Sequence, residues 1–144
     1  MTTLNAYLNF NGNTEEAFNF YKRVFGGEFK AIQRFRDTPE AGKVAAADAD
    51  KIMHISLPIG NGNVLMGTDA LESMGQHLVA GNNFNLSLDA DTEEEARRLF
   101  NGLSEGGQVT MPFDNVFWGG LFGMLKDKYG IQWMVSYDDS REGV

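Results

Sequence analysis

The chain has 144 residues, of which 42% are hydrophobic and none is cysteine, and its formal net charge is −8 at pH 7. These values are typical of one folded domain or of two small modules that share a core, and they exclude disulfides, thiol nucleophiles and cysteine metal sites. The negative charge disfavours nucleic acid and anionic membranes as partners, and with no apolar run of roughly 20 residues and no signal peptide we expect a cytoplasmic protein.

The first half of the chain predicts the element order βαβββ. Apolar residues alternate over Leu4–Phe10, which indicates a strand with one apolar face. A helical stripe then begins at Asn13 or Thr14 as N-cap and ends at a pair of glycines. Three more strands are predicted at 28–35, 52–59 and 64–68.

The segment between the second and third strands is long for a connection. Residues 37–51 read DTPEAGKVAAADADK, which is polar and poor in large apolar side chains. Loops of this length are uncommon in compact domains and are often functional. We therefore interpret the segment as a lid or a mobile loop.

The second half repeats the first. LNFNGNTEEA at 8–17 returns as LSLDADTEEEA at 86–96, an offset of 78 residues between the two leucines and between the two TEE motifs. A helix capped by Asp91 or Thr92 is followed by strands predicted at 108–113, 121–125 and 131–137. We predict a single α+β domain of two βαβββ modules, at 1–70 and 83–144, joined by a linker at 71–82.

Three segments of the sequence resemble a known superfamily. They are YLNFNGNTEEAFNFYKRVFGGEF (7–29), KIMHISLPIGNGNVLMGTD (51–69) and MPFDNVFWGGLFGMLKDKYGIQWMVS (111–136). Together they resemble the vicinal-oxygen-chelate superfamily of glyoxalases, bleomycin-resistance proteins and dioxygenases, and in particular its PhnB-like branch. The resemblance implies two curved sheets around a central cavity with the helices outside. It also implies a homodimer, with modules paired within or across chains.

The resemblance also implies where a metal site would lie. In catalytic members, His and Glu side chains on the first and last strands of each module hold a divalent metal. The repeat places Asn5 and Asn83 on the first strands, and the turns place Met66 and Met134 on the last strands. An amide is a poor ligand and a thioether suits soft copper, so we predict no metal site of the usual kind and no cofactor.

Other side chains are candidates for binding, each with a structural alternative. His54 is a general base or a hydrogen-bond donor to a ligand, or simply a packed strand residue. Asp69 orients a ligand or His54, or caps a turn. Trp118 and Phe122 stack on a planar ligand, or pack in the core. No catalytic residue is assigned, and the candidate ligand-binding set is Asn5, Tyr7, His54, Met66, Asp69, Asn83, Trp118, Phe122 and Met134.

Three classes of function fit these observations. The first is binding of a neutral small molecule in the cavity between the modules without chemistry, as in bleomycin resistance. The second is an enzyme, either a metal-dependent lyase or dioxygenase with displaced ligands or a metal-free acid–base catalyst using His54. The third is a structural or regulatory dimer with a vestigial pocket. Relatives have been labelled methyltransferases, but the glycine-rich strand–turn–helix typical of such a cofactor domain is not found in this sequence.

Overall fold

A computed structural model describes residues 2–138 of the chain. The chain divides into two compact units, one extending to Val79 and the other beginning at Ala80. Each unit contains one four-stranded sheet and one helix, and each sheet is built only from strands of its own unit.

The first unit has the element order βαβββ. Its strands are β1 (Ala6–Phe10), β2 (Ala31–Arg34), β3 (Ile52–Gly60) and β4 (Asn63–Asp69), and α1 (Thr14–Phe25) follows β1. In the sheet the order is β1-β4-β3-β2. The β1–β4 pair is parallel and the other two pairs are antiparallel.

The second unit has the same order of elements. Its strands are β5 (Leu86–Asp89), β6 (Gln108–Asn115), β7 (Leu121–Lys126) and β8 (Gln132–Tyr137), and α2 (Glu93–Ser104) follows β5. The sheet order is β5-β8-β7-β6, again with one parallel and two antiparallel pairs. The predicted α+β class with two tandem βαβββ modules is confirmed.

Side-chain alternation gives each sheet one face that packs against its helix. In the first unit α1 lies on β3 and β4. Strand residues alternate between the two faces of a sheet, so one residue in two is buried against the helix. The buried side chains here are Leu8, Phe10, Ile55, Leu57 and Leu65 from the strands and Ala17, Phe18, Tyr21 and Val24 from the helix. We call the opposite side of each sheet its open face.

The second unit buries an equivalent set against α2, which lies on β6, β7 and β8. Both units place a glycine beneath a helix phenylalanine. A Cβ atom on Gly67 would lie 2.5 Å from Phe18 Cε1, and one on Gly123 would lie 2.7 Å from Phe100 Cε2. The glycines therefore allow the aromatic rings to approach the backbone of the sheet.

The two helices begin with different capping arrangements. Asn13 is the N-cap of α1 but its side chain makes no capping hydrogen bond, whereas the Thr92 side chain accepts one from the Glu95 amide at 3.1 Å. In α1 the carboxylate of Asp69 accepts hydrogen bonds from the amide and the hydroxyl of Thr14 instead.

Neither helix in residues 2–138 combines the length and apolar character that a membrane crossing needs.

The start of the first strand differs from the expectation. The first strand begins at Ala6 rather than at Leu4, and Leu4 is 93% exposed. An alternating apolar pattern favours a strand, but it does not provide the neighbouring strand with which a residue must pair. The segment at 37–51, which we interpreted as a lid or a mobile loop, has local helical structure. It contains short 3-10 helices at Pro39–Lys43 and Ala46–Asp48, and a third, at Phe35–Asp37, overlaps its start.

Candidate functional site

The open face of the first sheet carries mostly polar, uncharged side chains. Cross-strand partners share a face, so Tyr7 lies beside Met66 and Met66 beside Ser56. The next row along the same face contains Asn9 and Thr68. His54 continues that row and is paired with Gln33 on β2.

Tyr7 and His54 form a hydrogen-bonded pair at the centre of this face. The Tyr7 hydroxyl lies 3.1 Å from His54 Nδ1, and the two ring centroids are 5.7 Å apart. Partial burial raises the pKa of the Tyr7 phenol above its ordinary value, so the phenol stays protonated near neutral pH and is available to donate to His54 Nδ1. With Nδ1 accepting, the neutral imidazole carries its proton on Nε2 and offers one donor. Tyr7 remains 46% exposed, so a ligand can reach the pair.

The open face of the second sheet is different in chemistry. Ser87, Met134, Met124 and Met111 form one row across its four strands. The adjacent row runs through Asp89, Ser136, Phe122 and Asp114. On β7 the open face carries Met124 and Phe122, whereas on β3 of the first unit it carries Ser56 and His54.

An aromatic group lies beside that face, in the connection between β6 and β7. The Trp118 ring is 5.8 Å from that of Phe122 and 4.8 Å from that of Phe117, in both cases in edge contact. Trp118 is mostly exposed and Phe117 is 96% exposed. The group thus has apolar surface available for contact with another molecule.

The sheet registers revise the positions expected for first-strand ligands. Tyr7 is paired with Met66, and Ser87 is paired with Met134, so the equivalent first-strand positions are 80 residues apart rather than 78. A shift of two residues keeps the same face but moves the position along the strand. Asn5 instead accepts a hydrogen bond from the Val64 amide at 3.2 Å, and Asn83 is exposed before β5 begins.

The donors at the revised positions do not fit the divalent metal of the superfamily. A phenol and a thioether stand in the first unit, and a hydroxyl and a thioether in the second. Hard and borderline divalent ions are held by carboxylates and imidazoles. Across residues 2–138, no group of three or more His, Asp or Glu side chains is arranged to hold a metal ion.

Asp69 lies on the opposite face of the first sheet from Tyr7 and is only 2% exposed. Its carboxylate accepts hydrogen bonds from the Thr14 amide at 3.0 Å, the Thr14 hydroxyl at 2.6 Å and the Ile52 amide at 2.8 Å. These bonds join the start of α1 to β3 and β4. Asp69 is therefore a structural carboxylate, and it does not orient His54.

A second polar feature of the first unit was not identified from the sequence. A cleft of about 420 Å³ is lined by Asn11, Asp48, Lys51, Ala70, Leu71, Glu72 and Ser73. Lys51 lies 2.7 Å from Asp48, whose other oxygen accepts from the Ser73 hydroxyl at 2.7 Å. The Lys51 ammonium and then the Ser73 hydroxyl lower the pKa of Asp48, and Asp48 raises the pKa of Lys51.

This cluster joins the 37–51 segment to the residues that follow β4. Its sequence signal is the acid–base spacing in ADADK, which brings Asp48 and Lys51 together over one short helical turn. None of the predicted ligand-binding residues lines this cleft, nor do they line a smaller one of about 180 Å³ beside Arg97 and Tyr137 in the second unit.

The structure thus brings only some of the predicted ligand-binding residues together on one face of a sheet. Tyr7, His54 and Met66 share the open face of the first sheet. In the second unit, Phe122 and Met134 share its open face, with Trp118 in edge contact with Phe122.

The chain matches the protein family described as 3-demethylubiquinone-9 3-methyltransferase over residues 2–136, and it belongs to this family. It is 30% identical over 141 residues to Protein YjdN of Escherichia coli, with 92% of this chain and 93% of that protein covered.

The chain is also similar to solved structures. Protein PA1353 from Pseudomonas aeruginosa shares 38% identity and a TM-score of 0.85, over 96% of this chain and 98% of that one. A putative 3-demethylubiquinone-9 3-methyltransferase, PhnB protein, from Bacillus cereus shares 28% identity and a TM-score of 0.74, over 94% and 99%.

A more distant structure shows the fold alone. It is a glyoxalase/bleomycin resistance protein/dioxygenase family enzyme from Burkholderia phytofirmans, at 17% identity and a TM-score of 0.59 over 92% and 96% of the two chains. The family match and the similarity to the Bacillus cereus PhnB protein confirm the predicted PhnB-like branch, and the fold is that of glyoxalase/bleomycin-resistance proteins.

Proposed function

We propose that this protein binds an uncharged, partly polar small molecule on the open face of its first sheet, around Tyr7 and His54. The observation that carries the proposal is the Tyr7–His54 hydrogen bond of 3.1 Å on a face that remains accessible. The pair fixes the imidazole orientation, and the free Nε2–H then donates to a carbonyl, ether or hydroxyl oxygen of the ligand.

The surroundings of the pair favour a ligand without formal charge. Asn9 is exposed on this face, Thr68 shares it with its hydroxyl donating to the Met53 carbonyl, and Ser56 is buried there; none of the three is ionised at neutral pH. An anion would lack a cationic partner here, and a net charge of −8 would oppose its approach. Met66 adds an adaptable apolar contact beside Tyr7.

The second unit offers apolar contacts of its own. Phe122 and Trp118 present aromatic surface that would pack on a planar ligand, and Met134 lies in the neighbouring row. We propose these three residues as contacts for a ligand on the open face of the second unit itself, separate from the Tyr7–His54 pair. Asp69, Asn5 and Asn83 are left out because of the hydrogen bonds and positions described above.

A thermal-shift screen of uncharged oxygenated and aromatic compounds, antibiotics included, tests the proposal. A ligand at a concentration 100 times its Kd stabilises the native state by about 2.7 kcal/mol, which is readily measured. We expect hits whose effect is lost in Tyr7→Phe and His54→Ala and retained in His77→Ala, a control at an exposed histidine. If no compound raises the melting temperature, or if hits act equally on all variants, the proposal is wrong.

Catalysis by the same pair is the second candidate function. A tyrosine donating to an imidazole is an arrangement that can move a proton to or from a bound substrate. If a hit is chemically converted, and His54→Ala lowers the conversion rate beyond what its weaker binding explains, the protein is an enzyme. Unchanged hits recovered after long incubation would favour binding alone.

A further inference from the structure

We propose that the second unit contains a binding site for one soft monovalent metal ion of the copper(I) class, formed by the thioethers of Met111, Met124 and Met134. These three residues lie side by side on three adjacent strands, β6, β7 and β8, and face the same side of the sheet. This inference goes beyond the proposed function, which centres on the first unit.

The register makes the three side chains neighbours. Met124 is paired with Met134 on one side and with Met111 on the other, in antiparallel ladders. Directly opposed residues in such ladders have Cβ atoms roughly 4.5–5.5 Å apart. A methionine side chain has three rotatable bonds, so the outer two sulfur atoms can converge on an ion held above the central one.

Irregularities in β6 turn Met111 towards its two partners. The register of β6 against β7 shifts on both sides of Met111, between Val109 and Met111 and between Met111 and Asp114. Without the second shift, Met111 would share a face with Phe113, whose ring stacks on Phe100 of α2 at 5.4 Å. Bulges of this kind re-aim individual side chains, and they are over-represented at functional sites.

The donor chemistry selects the ion. Thioethers are soft, uncharged ligands that favour copper(I) and its analogue silver(I) over zinc, magnesium or calcium. Met111 is 37% exposed and the other two are half-buried, so an ion has an entry path. Asp89 and Asp114 on the adjacent row give the face a negative field that favours a cation.

The composition makes the experiment selective. The chain has no cysteine, and its two histidines, His54 and His77, both lie in the first unit. Sulfur ligation in this protein therefore reports methionine alone. Silver(I) is the probe for the full-length chain because it needs no reductant, and copper(I) held by a competing chromophoric chelator provides a second measurement.

We expect one silver ion per chain, with sulfur as the only donor by X-ray absorption. Met111→Leu, Met124→Leu and Met134→Leu should each weaken binding by at least about tenfold, since even indirect partners of a metal site have effects of that size. These substitutions conserve volume, and melting curves of the single variants identify any that fold poorly.

Two controls separate this site from the rest of the protein. Met74→Leu, at a methionine in a short helical turn of the first unit, should bind silver as tightly as the unmodified chain. His54→Ala should do the same, although it abolishes small-molecule binding under the proposed function. The inference is overturned if the unmodified chain binds no silver, if the triple leucine variant binds equally well, or if nitrogen or oxygen donors are found.

Discussion

The two units build the same βαβββ scaffold but bury a carboxylate at different points of it. In the first unit Asp69 ends β4 and holds the start of α1 and of β3. In the second, Asp127 lies in the β7–β8 turn, where it accepts from the amides of Tyr129 and Ile131 and from the indole of Trp133. The repeat therefore preserves topology, while each copy satisfies its buried polar groups in its own way.

The open faces differ more than the cores. The first presents a Tyr–His pair among hydroxyl and amide groups, and the second presents thioethers and an aromatic ring. Because the scaffold depends on the helix-packed faces, the open faces are free to diverge without loss of fold. Function is thus expected to follow the open faces, and stability the buried carboxylates, glycines and caps.

The largest loss of stability is expected for Asp69→Asn. The amide would turn an N–H group towards the Ile52 amide and leave that buried donor without an acceptor, at a cost of about 3 kcal/mol. Asp127→Asn should cost about 2 kcal/mol, because its indole partner Trp133 is buried but the turn amides are closer to solvent. Urea unfolding measures both. The exposed Asp89→Asn is the control, and an equal loss there would contradict the assignment of Asp69.

The next largest loss of stability is expected at Gly67 and Gly123, the glycines beneath the helix phenylalanines. Gly123→Ala places a Cβ atom 2.8 Å from the backbone Cα of Phe113, which cannot move aside easily, so we expect about 2–3 kcal/mol of destabilisation. Gly67→Ala meets only the ring of Phe18 and the Leu8 carbonyl, and should cost about 1–2 kcal/mol. Chemical denaturation of the two variants tests the order, and a larger loss at Gly67 would show that the ring is the more rigid obstacle.

Substitutions at the two helix N-caps are expected to cause smaller losses of stability, and the loss should differ between the two helices. Thr92→Ala removes the hydrogen bond to the Glu95 amide and should cost about 1 kcal/mol. Asn13→Ala removes no capping hydrogen bond and should change the free energy of unfolding by less than about 0.5 kcal/mol. Equal losses in thermal unfolding would mean that Asn13 caps α1 after all.

The smallest effect on stability is expected from the contact between each helix and the edge strand of its sheet. Arg34 of β2 donates to both oxygens of Glu15 at 3.0 and 2.6 Å, and this bond lowers the pKa of Glu15 below its ordinary value of 4.5. A carboxylate with a lowered pKa stabilises the fold above the ordinary value, and the contribution is lost as pH falls through the lowered one. Glu15 is half exposed, so screening keeps the contribution at about 0.5 kcal/mol.

Glu15→Gln should therefore reduce stability slightly at pH 7 and leave it unchanged once the pH falls below the lowered pKa of Glu15. In the second unit Arg97 lies 5.5 Å from the ring of Phe113, a contact without a titrating partner on the strand. Phe113→Leu should show no such acid dependence. Unfolding curves at several pH values measure the difference, and a loss for Glu15→Gln that persists at low pH would contradict the account.

The sequence was sufficient for the fold because its signals were local and repeated. Alternating strands, two TEE helix starts and two glycine turns each recur, and the element order follows from them. The register of β5 could not be read in the same way. A two-residue shift leaves the apolar pattern unchanged, so the sequence repeat aligns Tyr7 with Asn85 where the sheets align it with Ser87.

The candidate site was predictable only where alternation alone decides which face a side chain occupies. Tyr7, His54 and Met66 fall in this group. Asp69 was ambiguous because its role depends on donors from α1 and β3 that are distant in sequence. The row of methionines was missed for a related reason, since only the bulges around Met111 bring it to the face of Met124.

Small-molecule binding at Tyr7 and His54 is tested most directly by NMR of the chain labelled with ¹³C in its methionine methyl groups. Met66 lies beside Tyr7, while Met74 lies in a separate helical turn, so their signals separate the open face from the rest of the first unit. Compounds that bind should shift the Met66 signal in the unmodified chain and fail to shift it in Tyr7→Phe and His54→Ala. Shifts confined to Met74, or Met66 shifts that persist in both variants, would contradict the account.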